Sequence, residues 1–326
     1  MPHPSETDQT SQPPDEFVSS DDPLLASATQ SPPDLPGRMS PPPDGLVLVS
    51  TPIGNLGDMS PRAVAALKAA DLVLCEDTRT SGRLLGFYDI RARLAPLHDH
   101  NEEGRIPGLL AMLRQGRRIA VISDAGMPLV SDPGYRLVRA ALAENLPVGA
   151  IPGANAATLA LVLSGLPPQP FLFMGFPPPR QAARRTAFAT MRAAERAGLS
   201  ATLLYYEAPH RLAETLADMA EAFGPRPAAV ARELTKRFEE VRRDTLVNLA
   251  AHYAEHDARG EITLVVGPPD ERAPGPADLD ALLSEALARV SLKQAVAEVT
   301  AATGLARKQV YAQALILQAQ ENVTDL

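Results

Sequence analysis

From residue 46 onward, short aliphatic runs alternate with helix-length stretches, and nearly every run ends in proline and glycine. Leu46-Val47-Leu48-Val49, Leu72-Val73-Leu74-Cys75, Ile119–Ser123 and Val148–Ile151 are apolar without alternation, the pattern of strands buried on both faces. Between them lie Arg62–Ala70, entered through Ser60-Pro61, then Tyr135–Glu144, with Ala154–Leu163 following the last strand. Strand–helix alternation of this kind predicts a parallel sheet covered on both sides, ending near Leu166-Pro167-Pro168. A second unit is expected from Phe171–Met174, Leu203–Tyr206, Ala229–Arg232 and Ile262–Val266 as strands. Helical stretches near 180–196, 210–222 and 245–255 separate them. Pro268–Pro276 reads as a linker, and Ala277–Leu326 as wholly helical. The expected divisions are therefore 1–44, 45–166, 167–270 and 277–326.

Charge is unevenly spread. The chain has 326 residues and a formal charge of −8. Residues 1–44 hold eight acids, one base and eleven of the 32 prolines, a composition expected to stay disordered. The rest is nearly neutral, so charge alone neither suggests nor excludes a nucleic-acid partner. One cysteine, Cys75, rules out an internal disulfide and a cysteine-cluster zinc site. The absence of Trp and 4% aromatic content argue against an aromatic platform for single strands. The longest uncharged stretch, Asn145–Pro179, is cut up by prolines, and its longest proline-free piece, Gly153–Leu166, is 14 residues, short of the ~20 of a spanning helix. A cytoplasmic protein is the expectation.

Chemistry concentrates at the strand ends. The loops Ser50–Asp58, Ser123–Gly134 and Ile151–Ala156 follow three strands of one parallel sheet. Each alone reads as an ordinary turn, but three at one sheet edge should converge on a crevice. Neither a GxGxxG fingerprint nor a phosphate-loop lysine is present. His98, His100 and Glu102 would share a face in an extended segment, but nothing completes a metal site, and an RNA contact or helix cap fits better. Residues 180–196 carry five arginines against Glu195, and Arg180, Arg184 and Arg185 follow a proline-rich turn that should sit at the crevice mouth, placing them as phosphate contacts. Lys236, Arg237, Arg242 and Arg243 form a second basic group. Leu292–Leu315 resembles a helix-turn-helix, with Gly304 at the turn and Val299, Leu305 and Val310 inside, although 277–326 holds four bases against six acids.

Ser50–Asp58, Cys75–Thr80, His98–Glu102, Ser123–Gly134, Tyr206–Leu212 and Ala231–Lys236 together resemble the ribosomal RNA small subunit methyltransferase I family of the tetrapyrrole-methylase superfamily. The likeness runs from about Leu46 to the C-terminus. Met127 and Ala154-Asn155 stand where similar proteins often have Thr and Pro-Ser. The resemblance implies an α/β fold of two domains, the first a parallel sheet and the second a mixed sheet, plus the helical C-terminal module. It also implies S-adenosylmethionine as cofactor and transfer of its methyl to the 2′-hydroxyl of a cytidine in the decoding region of 16S rRNA, within the 30S subunit, by a homodimer. Pro52, Gly54, Asp124, Gly126, Ser131, Gly153, Asn155 and Ala156 would line the cofactor cleft, closed by Leu234 and Thr235. His210, Arg211 and Lys236 join the RNA contacts. A ribose hydroxyl needs a proton acceptor, and the candidates are Asp77, Glu76, His210 and Glu233; Asp77 ranks first because it follows a strand end, with Arg79 beside it for phosphate or developing charge. A corrin-precursor methylase and a helix-turn-helix regulator are the competing readings.

Overall fold

In the computed structural model, residues 41–269, 276–303 and 305–324 are described. Of the 1–44 expected to be disordered, 1–40 lie outside them, as does the turn role of Gly304, while Asp44 is described and pairs with Arg118 at 2.8 Å. The first sheet contains β1 (Leu46–Val49), β2 (Leu72–Cys75), β3 (Leu94–Pro96), β4 (Ile119–Val121) and β5 (Val148–Ile151), all parallel, in the order β3-β2-β4-β1-β5. Its faces are covered by α1 (Pro61–Ala69) and α2 (Thr78–Phe87) on one side and by α3 (Asp99–Arg114) and α4 (Tyr135–Ala143) on the other. Ser60 caps α1 through its hydroxyl, which accepts from the Ala63 amide at 3.1 Å. Cys75 is buried in β2, as its place in an apolar run predicted.

The strand order reverses direction at the β1–β4 pair, so the loops after β1, β4 and β5 meet outside the carboxyl ends of the strands. That is the convergence the three loops predicted.

The second sheet is mixed. β6 (Phe171–Phe173) runs parallel to β7 (Thr202–Glu207); β10 (Ile262–Val266), β8 (Pro227–Arg232) and β9 (Glu240–Thr245) follow in antiparallel pairs, in the order β6-β7-β10-β8-β9. One face carries α6 (Gln181–Arg196), α7 (Leu212–Phe223) and α8 (Leu246–Glu255). The other is covered by α5 (Ala156–Ser164), whose Ala157, Ala160 and Leu161 pack on Leu204, Ala229, Ala231 and Val265. The opposite side of α5 is open, with Val162 68% exposed. The helix sits against the second sheet while hanging directly from β5 of the first.

Three further helices, α9 (Pro276–Leu287), α10 (Leu292–Thr303) and α11 (Arg307–Thr324), build a core of their own that includes Leu283, Val296, Val299 and Val310. Val299 and Val310 are buried and Leu305 packs against them, as expected. Among the described residues, no helix is long and apolar enough to cross a membrane.

Four elements went unpredicted. α2 lacks an apolar run, and α3 contains Gly104, Pro107 and Gly108. β3 is three residues long, and β9 is the polar edge strand EVRRDT. α3 is instead secured at its N-terminal turn: the Asn101 side chain accepts from the His98 amide at 3.0 Å, and buried Glu102 accepts from the Leu137 amide at 2.8 Å. His98 and Glu102 thus serve capping and helix docking.

Candidate active site

Two cavities adjoin at the carboxyl edge of the first sheet. The first, of about 380 Å³, lies between the sheets. Ile53, Asp124, Gly126, Ser131, Asn155 and Ala156 line it from the first sheet, and Leu234, Glu207 and Glu261 from the second. The second, of about 430 Å³, includes Pro52, Gly54, Thr80, Arg83, Phe87 and Lys236. Ile53, Asp124, Ala125 and Glu261 belong to both, so the two spaces meet across one wall.

Most expected cofactor residues are thereby brought together. Asp124, Gly126, Ser131, Asn155, Ala156 and Leu234 line the first cavity, and Pro52 and Gly54 the second. Gly153 and Thr235 line neither. Gly153 allows backbone contact with Ser50, whose Cβ would lie 2.6 Å from an added methyl. The Thr235 hydroxyl accepts from the Asn55 amide at 3.1 Å, tying the β1 loop to the loop after β8. Asn155 also caps α5, its side chain accepting from the Thr158 amide at 3.1 Å.

The site loops are strained. Leu129 and Ser131 after β4, and Glu233 and Thr235 after β8, all have positive φ. Such conformations persist where neighbours over-determine them. Here the Glu233 amide donates to the Glu261 carbonyl at 3.0 Å, and the Thr235 amide donates to the Glu239 carboxylate at 2.6 Å. Gly126, at φ +83°, exchanges backbone hydrogen bonds with Thr51 and stands 3.2 Å from the Ile53 side chain at its missing Cβ. Gly126→Ala is expected to cost about 1–2 kcal/mol in denaturant unfolding. Gly108→Ala, exposed in α3 with nothing near its missing Cβ, is expected to lose nothing.

The electrostatics are lopsided. Asp124, Asp132, Glu207 and Glu261 line the first cavity, and no lysine or arginine does among the described residues. Burial, reinforced by the charge of Glu76, pushes the Asp132 carboxyl up to about 6. Burial also raises Asp124, against a weak donation from the Asp77 amide at 3.4 Å. A lining of this sign suits a cationic ligand and repels a polyphosphate.

The expected catalytic group is arranged differently. Asp77 caps α2, accepting from the Arg79 amide at 2.8 Å, and its carboxylate takes two further bonds from the Arg79 guanidinium, at 2.8 and 3.2 Å. Those bonds hold the Asp77 carboxyl down to about 2, which makes it a weak proton acceptor. Neither residue lines a cavity. Glu233 also lies outside both; its carboxylate accepts from Lys236 Nζ at 2.8 Å and from the Glu261 amide at 3.1 Å, and the lysine bond chiefly lowers its pKa. Lys236 lines the second cavity and pairs with Glu261 at 3.0 Å as well.

The basic segment is corrected most. Arg184 is fully buried, its guanidinium 2.7 Å from the Asp218 carboxylate of α7. It has no surface to offer a phosphate. Arg185 is half exposed but is shared between Asp218 and Glu221. Sequence counting saw the arginines of α6 and missed that α7 supplies their carboxylates. Arg180 stays exposed at the start of α6, and His210 is exposed in the turn before α7. Arg211 is tied to the Pro177 carbonyl at 2.8 Å. In the second basic group, Arg243 donates to the Leu163 carbonyl at 3.0 Å and Arg242 pairs with Glu240 at 3.2 Å.

Asp132, Glu207, Glu261, Arg83 and Phe87 line the cavities without having been singled out. Asp132 and Glu207 sat inside stretches already marked by proline. Nothing in the local sequence of Arg83 or Phe87 pointed to a site.

The tetrapyrrole (corrin/porphyrin) methylase family model matches residues 45–250, and that of the RsmI C-terminal HTH domain matches residues 273–318. The ribosomal RNA small subunit methyltransferase I of Mesorhizobium japonicum is 46% identical over 287 residues, which span 87% of this chain and 95% of that relative. The protein of the same name from Micromonospora olivasterospora is 46% identical over 275 residues, 82% and 85% of the two chains. A solved diphthine synthase superposes with a TM-score of 0.53 over 68% of this chain and 90% of its own, at 16% identity, a likeness of fold alone. Relatives this similar over this much of their length leave one placement: the chain belongs to the ribosomal RNA small subunit methyltransferase I family, within the tetrapyrrole methylases.

Proposed function

We propose that the protein methylates the ribose 2′-hydroxyl of a cytidine in the decoding region of 16S rRNA, presented in the 30S subunit, with S-adenosylmethionine as donor, in the cytoplasm. The observation that carries the reading is the first cavity, lined among the described residues by four carboxylates and no base, sharing a wall with a second cavity that holds Arg83 and Lys236. The donor carries net positive charge on its sulfonium and amino groups, and the carboxylate lining complements it. S-adenosylmethionine, when bound, supplies an electrophilic methyl. Gly126, Ser131, Asn155 and Ala156 would hold it from the first sheet and Leu234 from the second, by close backbone approach and a few polar groups.

What the chain's own residues contribute is orientation and a proton acceptor. Alignment of reacting groups supplies about 7–11 kcal/mol of a barrier. Asp124 lines both cavities and its carboxyl is raised, so it is better suited than Asp77 to take the ribose proton. Asp77 then holds Arg79 at the rim. The expected test offers tritiated donor with 30S subunits, naked 16S rRNA and a corrin precursor. Label in a cytidine ribose of 30S subunits is the result expected; label in the corrin alone overturns the reading.

Asp132 makes donor binding pH-dependent. A cation beside it favours the ionised form, so binding below pH 6 must first expel a proton. Donor affinity is expected to rise from pH 5 to 7 and then level off, and Asp132→Asn should flatten that rise in calorimetry. The unliganded fold is expected to follow the opposite trend. Because the folded carboxyl is raised above its unfolded value of 3.8, stability falls as pH climbs from about 4 to 6, and Asp132→Asn should unfold at higher temperature than the parent at pH 7 but not below pH 4.

The homodimer belongs to this proposal. Light scattering at twice 34.7 kDa is the expected outcome, and a fully active monomer would refute it.

A further inference from the structure

The target hydroxyl must reach the donor across the wall the two cavities share. A 2′-hydroxyl on a stacked, paired nucleotide is not free to enter an enclosed space, and enzymes acting on single nucleotides generally extrude them. The second cavity has the size for such a guest and lies on the correct side of that wall. Its outer wall is one face of α2. Thr80, Arg83, Leu84 and Phe87 stand at helical spacing and all line it.

Phe87 is the unusual member. It is 62% exposed, whereas Leu85 of the same helix is buried and Leu84 half-buried. Tyr88 braces it edge-on, ring centroids 5.0 Å apart, and the Tyr88 hydroxyl donates to the Leu56 carbonyl of the β1 loop. The aromatic face is thus held at the cavity by the same contact that joins its two walls. Arg83 stands one turn earlier, exposed, and among the described residues it pairs with no carboxylate, in contrast to Arg79 with its Asp77.

We propose that this cavity holds the target nucleotide itself, swung out of the RNA, with its base against Phe87 and a flanking phosphate at Arg83. The inference rests on the RNA-methylating reading above and assigns its substrate subsite to α2. Exposed aromatic faces bind bases by stacking, and an arginine one helical turn away, unpaired among the described residues, supplies a phosphate contact. Phe87 contributes base contact, Arg83 backbone contact, and neither touches the donor cavity.

The test measures methylation of unmethylated 30S subunits by the parent, Phe87→Ala, Phe87→Tyr and Arg83→Ala, with donor affinity by calorimetry and thermal unfolding alongside. Phe87→Ala is expected to lower kcat/KM for 30S subunits by about tenfold or more, the size of one lost stacking contact. Phe87→Tyr should keep most of the activity. Arg83→Ala should raise KM and lower the salt slope of RNA binding by about 0.7–0.9, one phosphate contact. Donor affinity and melting temperature should stay at parent values in all three. Phe87→Ala acting on 30S subunits like the parent overturns the subsite while leaving the RNA reading intact. A parent enzyme that labels no RNA overturns both. Equal loss of donor affinity in Phe87→Ala would place the residue in the donor cavity and also overturn the proposal.

Discussion

Asp124→Asn is expected to cut methyl transfer to 30S subunits by about 10²–10⁴-fold, the contribution of a positioned proton acceptor. The substitution preserves size and removes the ability to take a proton. Asp124 is the one carboxylate on the first sheet's loops that faces both cavities, and burial holds its carboxyl above the ordinary range. Parent kcat should therefore increase with pH through the titration of that carboxyl, because only the ionised form accepts a proton, and the variant should lack this rise. Donor binding separates the two roles open to the residue. A fall in kcat with donor affinity unchanged assigns proton transfer. A matching loss of affinity assigns it to holding the cation. A variant with parent kinetics would remove Asp124 from the reaction. Asp77→Asn serves as the contrast: with its carboxyl held near 2 by Arg79, Asp77 is a cap and an arginine anchor, and its loss should act through the α2 N-terminus and the Arg79 position.

Arg184→Ala is expected to be strongly destabilising, costing about 3–5 kcal/mol of folding free energy. Its guanidinium is fully buried and bound to Asp218, itself only 1% exposed. Removing it leaves a buried carboxylate with Arg185 as its remaining cation partner. Burial works against the Asp218 charge, and the bonds from Arg185 and Arg184 outweigh it, so the folded carboxyl lies below its unfolded value. Such a group contributes stability above the carboxylate range and loses it on acidification. The deficit of Arg184→Ala should accordingly be full at pH 7 and shrink as the pH falls and Asp218 takes a proton. Arg184→Met with Asp218→Leu should recover much of the loss, since a buried pair replaced as a pair leaves no orphan charge. The salt slope of RNA binding by whatever folded Arg184→Ala remains should equal that of the parent. A parent-like melting temperature with a reduced slope would restore Arg184 to the RNA surface.

How far reasoning from sequence could go follows from the range of the forces involved. Aliphatic runs such as Leu46–Val49 and Ile262–Val266 declare themselves because a buried strand needs apolar residues at consecutive positions, a constraint local in the chain. The loops after β1, β4 and β5 were legible for the same reason: a chain leaving a buried strand at a sheet edge needs proline and glycine there, and a parallel topology brings such ends together. The polar edge strand β9 and the glycine- and proline-containing helix α3 were not legible, because their conformations are imposed by partners, β8 for one and α4 with its Glu102 contact for the other.

Charge was where local reading failed most. Arg184 and Arg185 on α6 read as free cations until α7, thirty residues on, set Asp218 and Glu221 against them. Asp77 read as a base until Arg79 closed over it. The sequence by itself determined the apolar strands, the edge on which the site lies and the family. Tertiary structure alone decided which charges are spent on one another, which carboxylates face both cavities and which aromatic stands open beside them. Pairing and burial depend on what the fold brings within a few ångströms, and that distance has no fixed relation to separation along the chain.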